Sequence, residues 1–318
     1  MKHDAILTSA READEISEKL SMKIISRSVF STFVFLSCAG LLQAQTVTFK
    51  PVARFNYPGA ASSAANGIND AGAVVGYFIV PGADYANGFA RYPDGTFSAP
   101  IIYPGSTVFQ TIPTAIDNNG TIAGWYNTEP GFTHGFFYKD GVFTSFDYPG
   151  ANYTTITGIN DAGDFVGSYA LADGMRHSYT SIGGQLADVV VPGSTYVEVY
   201  DINNHGSIVG WYNTTNHTSG LLLEADDRVQ QFRVPAFPST LLLGTNDGRE
   251  RVGQAVNFAA SAGLYILGSH SYFTYSFPDL SYNMFTGINQ RGLICGSGYD
   301  APSSTNYGYL VRRVMTGE

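Results

Sequence analysis

Tyr148-Pro149-Gly150, then Ile159-Asn160-Asp161-Ala162-Gly163, then Gly167 is one copy of a phrase that the chain repeats six times. Its prolines fall at Pro58, Pro104, Pro149, Pro192, Pro235 and Pro278, at steps of 46, 45, 43, 43 and 43 residues. A fixed period of this size marks an architecture made from one supersecondary unit copied around an axis or along a stack. Consecutive copies leave no linker, so the two-domain expectation for 318 residues does not apply.

The unit from Asp147 to Val189 reads as four strands. Asn152 to Ile159, β-branched and aromatic, is the first. Asn160-Asp161-Ala162-Gly163 is a turn whose Asn and Asp side chains bond nearby backbone and whose glycine accepts a positive φ. Asp164 to Tyr169 is the second strand, His177 to Ser181 the third and, after Gly183-Gly184, Gln185 to Val190 the fourth. Four short antiparallel strands in 43 residues make a propeller blade. A β-helix coil would be shorter, and helical repeats would show a 3.6-residue period. Glycines recur in the second strand at Gly76, Gly124, Gly167, Gly210, Gly253 and Gly296. A mid-strand glycine costs stability, so this register predicts a close approach of neighbouring blades or a bulge. In the fifth copy, Asn246-Asp247-Gly248-Arg249 moves the turn glycine by one place, which predicts an irregular hairpin.

The sixth copy, Ser281 to about Val314, has only three strands, and Thr46 to Tyr57 reads as a lone fourth strand. Pairing that segment beside Tyr307 to Val311 removes an open sheet edge. The expected fold is therefore all-β: a six-bladed β-propeller of four-stranded antiparallel blades, residues 46–318 in one domain, with the last blade closed by the N-terminal strand. Residues 1–45 read as a signal peptide region. Met22 to Arg27 is a basic n-region, Ser28 to Leu42 an apolar core, and Leu42-Gln43-Ala44 supplies small-residue cleavage chemistry. The apolar core is short for a membrane span, which needs about 20 residues. Residues 1–21 are charged and lack the repeat, as expected if Met22 is the true start; the competing reading is a membrane anchor with a cytoplasmic extension. Cys38 lies in the leader and is a poor acylation site, which leaves Cys295 alone and a disulfide excluded.

Charged residues make up 14% of the chain, against about 25% in ordinary globular domains. Residues 1–45 carry five basic and five acidic side chains, so the remainder keeps the whole net charge of −9. That charge argues against nucleic acid and anionic membranes as partners and against membrane insertion of the mature chain.

Asn69-Asp70-Ala71-Gly72-Ala73-Val74-Val75-Gly76 and His134-Gly135-Phe136-Phe137-Tyr138-Lys139-Asp140-Gly141 resemble the bacterial extracellular HAF repeat, named for a His-Ala-Phe triplet opening a strand. The resemblance covers residues 55–312. Its triplet is degraded to Asn87-Gly88-Phe89, His134-Gly135-Phe136, His177-Ser178-Tyr179, Ser219-Gly220-Leu221, Ala262-Gly263-Leu264 and Tyr307-Gly308-Tyr309. With only two histidines kept, no role that needs a full ring of them is implied. The resemblance implies a secreted protein, at the cell surface, outside the cell or in the periplasm, and assigns no reaction.

First strands of propeller blades line the central channel, and here only Glu198 and Asp201 bring carboxylates to it. Three residues apart on one strand, they are expected on opposite faces, which argues against paired-carboxylate hydrolysis in the channel. The turn acids Asp70, Asp161 and Asp247 are expected too far apart to supply the six or more oxygens calcium wants. His134, His177 and His217 could face one rim, but such histidines more often tie loops to backbone, so no metal or cofactor is expected. Trp125 and Trp211, at matching positions, read as blade packing rather than a sugar platform. The links from second-strand Gly to third-strand Gly (or Ser178) span 12, 11, 11, 10, 10 and 12 residues, and their sequences share little. Variable loops on a fixed scaffold are where recognition resides. They define a candidate ligand face of Asp84, Tyr85, Glu129, His134, Asp173, Arg176, His177, Asn216, His217, Asn257, Asp300 and Asn306; the bland alternative is drift in surface loops. The expected function is a secreted, non-catalytic repeat protein that binds an extracellular polysaccharide or protein through one face. The alternatives are a secreted hydrolase or lyase with a rim-loop active site, and a structural component of the cell surface or matrix.

Overall fold

Each Asn/Asp-x-Gly phrase folds as a tight turn between antiparallel strands, as in Asn69, whose N–H donates to Ala73 O at 3.1 Å while Gly72 N–H donates to Asn69 O at 2.9 Å. The structure, a computed structural model, describes residues 46–106, 110–172, 174–235, 237–257, 261–268, 271–277 and 279–315. The expected signal peptide of residues 1–45 and the candidate Asp173 lie outside the described residues.

The described residues form 23 strands and no helix. β1 (Val47–Phe55) opens the fold, followed by β2 (Ser62–Ile68), β3 (Val74–Ile79) and β4 (Asn87–Arg91). The second copy gives β5 (Thr111–Ile116), β6 (Ile122–Glu129), β7 (Phe132–Lys139) and β8 (Val142–Phe146). The third gives β9 (Tyr153–Ile159), β10 (Phe165–Ala170), β11 (Arg176–Ile182) and β12 (Gln185–Asp188). β13 (Tyr196–Ile202), β14 (Ile208–Asn213), β15 (Thr218–Leu223) and β16 (Val229–Phe232) form the fourth. β17 (Ser239–Thr245), β18 (Glu250–Val256), β19 (Ser261–Leu267) and β20 (Ser271–Tyr275) form the fifth, and β21 (Tyr282–Ile288), β22 (Leu293–Asp300) and β23 (Thr305–Met315) the sixth. Within each copy the strands pair antiparallel in chain order. Single parallel bridges, Thr133 to Tyr153 and Thr218 to Ser239, join neighbouring copies. In the first copy the bridges Gly88 to Ile101 and Arg91 to Phe97 stand where a fourth strand would be.

β1 pairs antiparallel with β23, from Val47 opposite Met315 to Phe55 opposite Gly308, the partnership expected from the unequal ends of the repeat. Arg54 holds it there, bonding Asp300 at 3.0 Å and lying 3.8 Å above the Tyr307 ring. Apolar clusters fill the spaces between successive copies. One joins Val209 and Leu222 to Leu242 and Leu264. Another joins Phe55, Cys295 and Leu310 of the last sheet to Ala65, Val74 and Phe89 of the first. The tyrosine before Pro-Gly stacks on a second-strand aromatic, Tyr57 on Phe78 at 3.8 Å and Tyr148 on Tyr169 at 3.7 Å.

A register shift near the end of each first strand governs the interior. It leaves one extra residue, such as Asn66 between Ala65 and Gly67 or Tyr200 between Val199 and Asp201. The bulge drives a first-strand carbonyl against the second-strand glycine. A Cβ on Gly167, Gly210 or Gly253 would lie 1.9, 2.0 or 1.9 Å from the oxygen of Thr155, Glu198 or Leu241. Of the two causes the sequence offered for these glycines, the bulge is therefore the one at work. The extra residue turns toward the next copy: Thr114 Oγ1 donates to Ile156 O at 2.7 Å, Thr157 Oγ1 to Val199 O at 2.9 Å, and Thr286 Oγ1 to Ala65 O at 3.0 Å.

The residue after each bulge is small (Gly67, Ala115, Gly158, Gly244, Gly287), because adjacent first strands nearly touch there; a Cβ on Gly158 would sit 2.6 Å from Asp201 Cα. Asp201 is the exception. Its Oδ1 accepts from Ile202 N–H and its Oδ2 from Thr245 N–H, both at 2.9 Å, and burial pushes its carboxyl up to about 7.

The fifth hairpin corrects the irregularity expected of it. Arg249, at φ 60°, takes the left-handed position that Gly72 holds at φ 87° and Gly163 at φ 83°. The bonds Asn246 N to Glu250 O (3.1 Å) and Arg249 N to Asn246 O (3.2 Å) match the other turns. The turn geometry is fixed by the backbone, and the sequence tolerates an arginine in it.

Replacing Arg249 by Gly is expected to raise thermal stability by about 0.5–1 kcal/mol, the left-handed cost of about 1–2 kcal/mol for a side-chain residue less the roughly 0.4–1 kcal/mol of extra freedom that glycine has in the unfolded chain. Gly253→Ala is expected to lose about 3 kcal/mol or more, because its methyl meets a fixed carbonyl. Both are read by thermal unfolding. Asp201 is neutral when folded at a pH where the unfolded chain is ionised, so stability is full below about pH 4 and falls as pH rises toward 7. Melting curves from pH 4 to 8 should show this decline, and Asp201→Asn should flatten it whatever its absolute Tm.

Candidate functional site

First strands run from one mouth of a central cavity to the Asn/Asp turns at the other. At the turn mouth, Asp70, Asn118, Asp161, Asn204, Asp247 and Gln290 alternate acid with amide. Asn118 Nδ2 donates to Asp70 and to Asp161, each at 2.9 Å. Asn204 Nδ2 donates to Asp161 at 2.9 Å and Asp247 at 3.0 Å. Gln290 N–H donates to Asp70 Oδ1 at 2.8 Å, which joins the last turn to the first. An inner tier runs beside it, Asn203 Nδ2 to Asn246 O at 3.1 Å and Asn289 Nδ2 to Asn69 O at 3.0 Å. The expectation that these turns stand far apart is thus corrected: their side chains interlock. Burial works to raise the Asp161 carboxyl, but the hydrogen bonds from Asn118 and Asn204 outweigh it and hold it low. With their oxygens committed to amides, the turn acids form a belt. Among the described residues no group of three or more His, Cys, Asp or Glu side chains is placed to hold a metal ion.

The cavity behind the belt measures about 560 Å³, within the roughly 300–1,000 Å³ of small-ligand sites. Its walls come from cross-strand pairs in which the residue after the second-strand glycine faces a first-strand residue: Tyr77 opposite Ala64, Trp125 opposite Ile112, Gln254 opposite Leu241. Trp125 therefore lines the cavity and is not the inter-blade packing expected, whereas Trp211 leans on Tyr196 at 5.2 Å. Tyr153 and Tyr282, at the starts of their strands, and Tyr200, on its bulge, complete the aromatic lining. Burial raises the hydroxyls of Tyr77, Tyr153 and Tyr200, so all three are neutral donors across the physiological range.

Besides Asp201 and the acids of the turns, Glu198 and Arg176 bring charge to these walls. Glu198 is buried; Ser168 Oγ donates to its Oε1 at 2.7 Å and the Tyr196 hydroxyl to its Oε2. Arg176 lies with its guanidinium 4.2 Å above the Tyr153 ring. Glu198 and Asp201 were expected to point to opposite faces, yet both line the cavity. The extra residue Tyr200 breaks strand alternation between them. Asp201 is occupied by two backbone amides, so the two acids have unlike environments.

The loop residues chosen from sequence separate. Asp84, Tyr85 and Glu129 line a shallow pocket of about 310 Å³ with Gln110 and Asn127. Arg176 joins the central cavity instead. The three histidines do not share a rim site, because each is taken up by its own sheet. His134 Nδ1 bonds Asp147 at 2.8 Å, His177 stacks 5.1 Å from Tyr169, and His217 meets Gln231 at 3.1 Å. Asp300 is engaged by Arg54 and by Ser303, Asn306 pairs opposite Tyr299, Asn216 caps its loop through Thr214 Oγ1, and Asn257 follows the end of β18 half-buried. Sequence reasoning passed over Tyr153, Tyr200 and Gln254. Their signal was present in the columns beside the fixed glycine and on the bulge, where chemistry varies from copy to copy.

No protein-family model matches the chain, and no curated protein matches it in sequence. Among solved structures, the chain is similar to AofleA from Arthrobotrys oligospora at 13% identity, covering 86% of this chain and 91% of that one, with a TM-score of 0.53. A fungal lectin from Aleuria aurantia, described as a six-bladed β-propeller, is similar at 11% identity over 78% of this chain and 91% of that one, with a TM-score of 0.52. TolB from Acinetobacter baumannii is similar at 10% identity over 76% of this chain and 66% of that one, with a TM-score of 0.53. At such identities the likeness concerns fold alone, and that fold is a β-propeller of repeated sheets.

Proposed function

We propose that residues 46–318 form a ring-closed, six-bladed propeller of the HAF-repeat type, exported from a bacterial cell, which binds an extracellular polysaccharide without transforming it. The observation that carries this reading is the central cavity, with Trp125, Tyr153, Tyr200 and Tyr282 around the carboxylates of Glu198 and Asp201 and one cation, Arg176. Aromatic faces with a few placed polar groups suit a ligand that has both apolar ring faces and hydroxyls. Six-fold closure is supported by the β1–β23 pairing and by the hydrogen bonds from Asn289 and Gln290 back to Asn69 and Asp70. One of the similar folds, from Aleuria aurantia, is described as a fungal lectin, in keeping with a binding role. Export rests on the leader-like residues 22–44.

A second reading, a hydrolase or lyase, draws on Glu198 and Asp201 sharing one cavity. One screen separates the two. The purified protein is presented to an oligosaccharide array, and bound ligands are then incubated with it and examined for cleavage. Binding without turnover, weakened about tenfold or more by Trp125→Ala, is the expected result. Turnover that disappears in Glu198→Gln would refute the binding-only view.

A further inference from the structure

The cavity is lopsided, and its asymmetry says what it takes. The positions equivalent to Arg176 are Ala86, Thr133, Thr218, Ser261 and Asn306, none of them charged. Those equivalent to Glu198 are Ala64, Ile112, Thr155, Leu241 and Met284, again uncharged. Arg176 is the only Lys or Arg among the residues that line the cavity. Among the described residues its guanidinium makes no ion pair or hydrogen bond; it stacks on Tyr153 and lies within electrostatic reach of Tyr196 and Tyr200. Stacking fixes the plane of the fork and leaves its N–H edge for a partner.

That partner must satisfy two neighbours at once. A planar guanidinium with a free edge matches a carboxylate in two-bond geometry. Glu198, set deeper on β13 and acceptor-only while ionised, requires donors such as hydroxyls and repels a second acid. The ligand's acid is thereby directed to Arg176 and its hydroxyls to Glu198, with a ring face against Tyr153 or Trp125. The interlocked turns bound the cavity at one end. Resting on the binding function proposed above, we infer that the cavity accepts one terminal uronic-acid residue of an acidic oligosaccharide, its carboxylate on Arg176 and its ring hydroxyls on Glu198, with a single such site per chain.

Titration calorimetry with oligogalacturonate and oligomannuronate trimers, their methyl esters and neutral hexose trimers tests this. The expected result is one site per chain, with affinity for an acidic trimer reduced at least about tenfold by esterification and by Arg176→Gln. Arg176→Lys, which keeps the charge and loses the fork, should fall between. Circular dichroism of each variant confirms folding; Arg176 is exposed, and its loss leaves no buried group unpaired. Equal binding of acid and ester, failure of both acidic trimers to bind, or several equivalent sites per chain overturns the inference. Neutral trimers that bind through Trp125 but ignore Arg176 would overturn it while leaving the binding function intact; no saccharide binding in any arm removes both.

Discussion

The bulge near the end of each first strand is the constraint on which the interior depends. By adding one residue it pushes a carbonyl into the space beside the second strand, and only glycine fits there. It also rotates the extra side chain toward the next sheet, where Thr114, Thr157 and Thr286 bond carbonyls that a regular strand could not reach. Just beyond it, adjacent strands approach so closely that glycine or alanine is required in all copies but one. The same shift lets Glu198 and Asp201 enter one cavity from one strand. A single backbone irregularity thus sets sheet spacing, waist width and the lining of the site.

The belt at the turn mouth depends on complementarity between copies. A carboxylate only accepts and an amide can donate, so acid beside amide bonds well while acid beside acid would repel. Asp70, Asp161 and Asp247 alternate with Asn118, Asn204 and Gln290, and each amide side chain of Asn118 and Asn204 serves an acid on either side. Where Asp117 interrupts the inner tier with no side-chain donor, Asn119 Nδ2 reaches Asp161 O at 3.0 Å in its place. Such alternation closes without conflict only around an even number of copies.

Much of this scaffold is legible in the repeat itself. Pro-Gly and Asn-Asp-x-Gly mark turns because their backbone requirements are local, and the unequal ends of the chain point to the β1–β23 pairing. The site was less legible for a physical reason. Strict alternation assigns Glu198 and Asp201 to opposite faces, and nothing local announces that Tyr200 breaks it. Trp125 beside its glycine looks the same whether it faces a neighbouring sheet or the axis. The turn acids are 43 to 48 residues from the amides they bond, so spacing along the chain hides their contact. Arg176 was legible as part of a variable loop; Asp84, Tyr85 and Glu129, legible on the same ground, line a different and shallower pocket.

The proposed ligand site is the asymmetric cavity framed by six bulged first strands. A crystal structure of the protein with an acidic oligosaccharide bound tests it most directly. The expected result is one ligand in the cavity, its acid against Arg176 and its ring beside Glu198 and either Tyr153 or Trp125. Ligand found between sheets at repeated positions, or in the loop pocket of Asp84 and Glu129 with the axis empty, would contradict it.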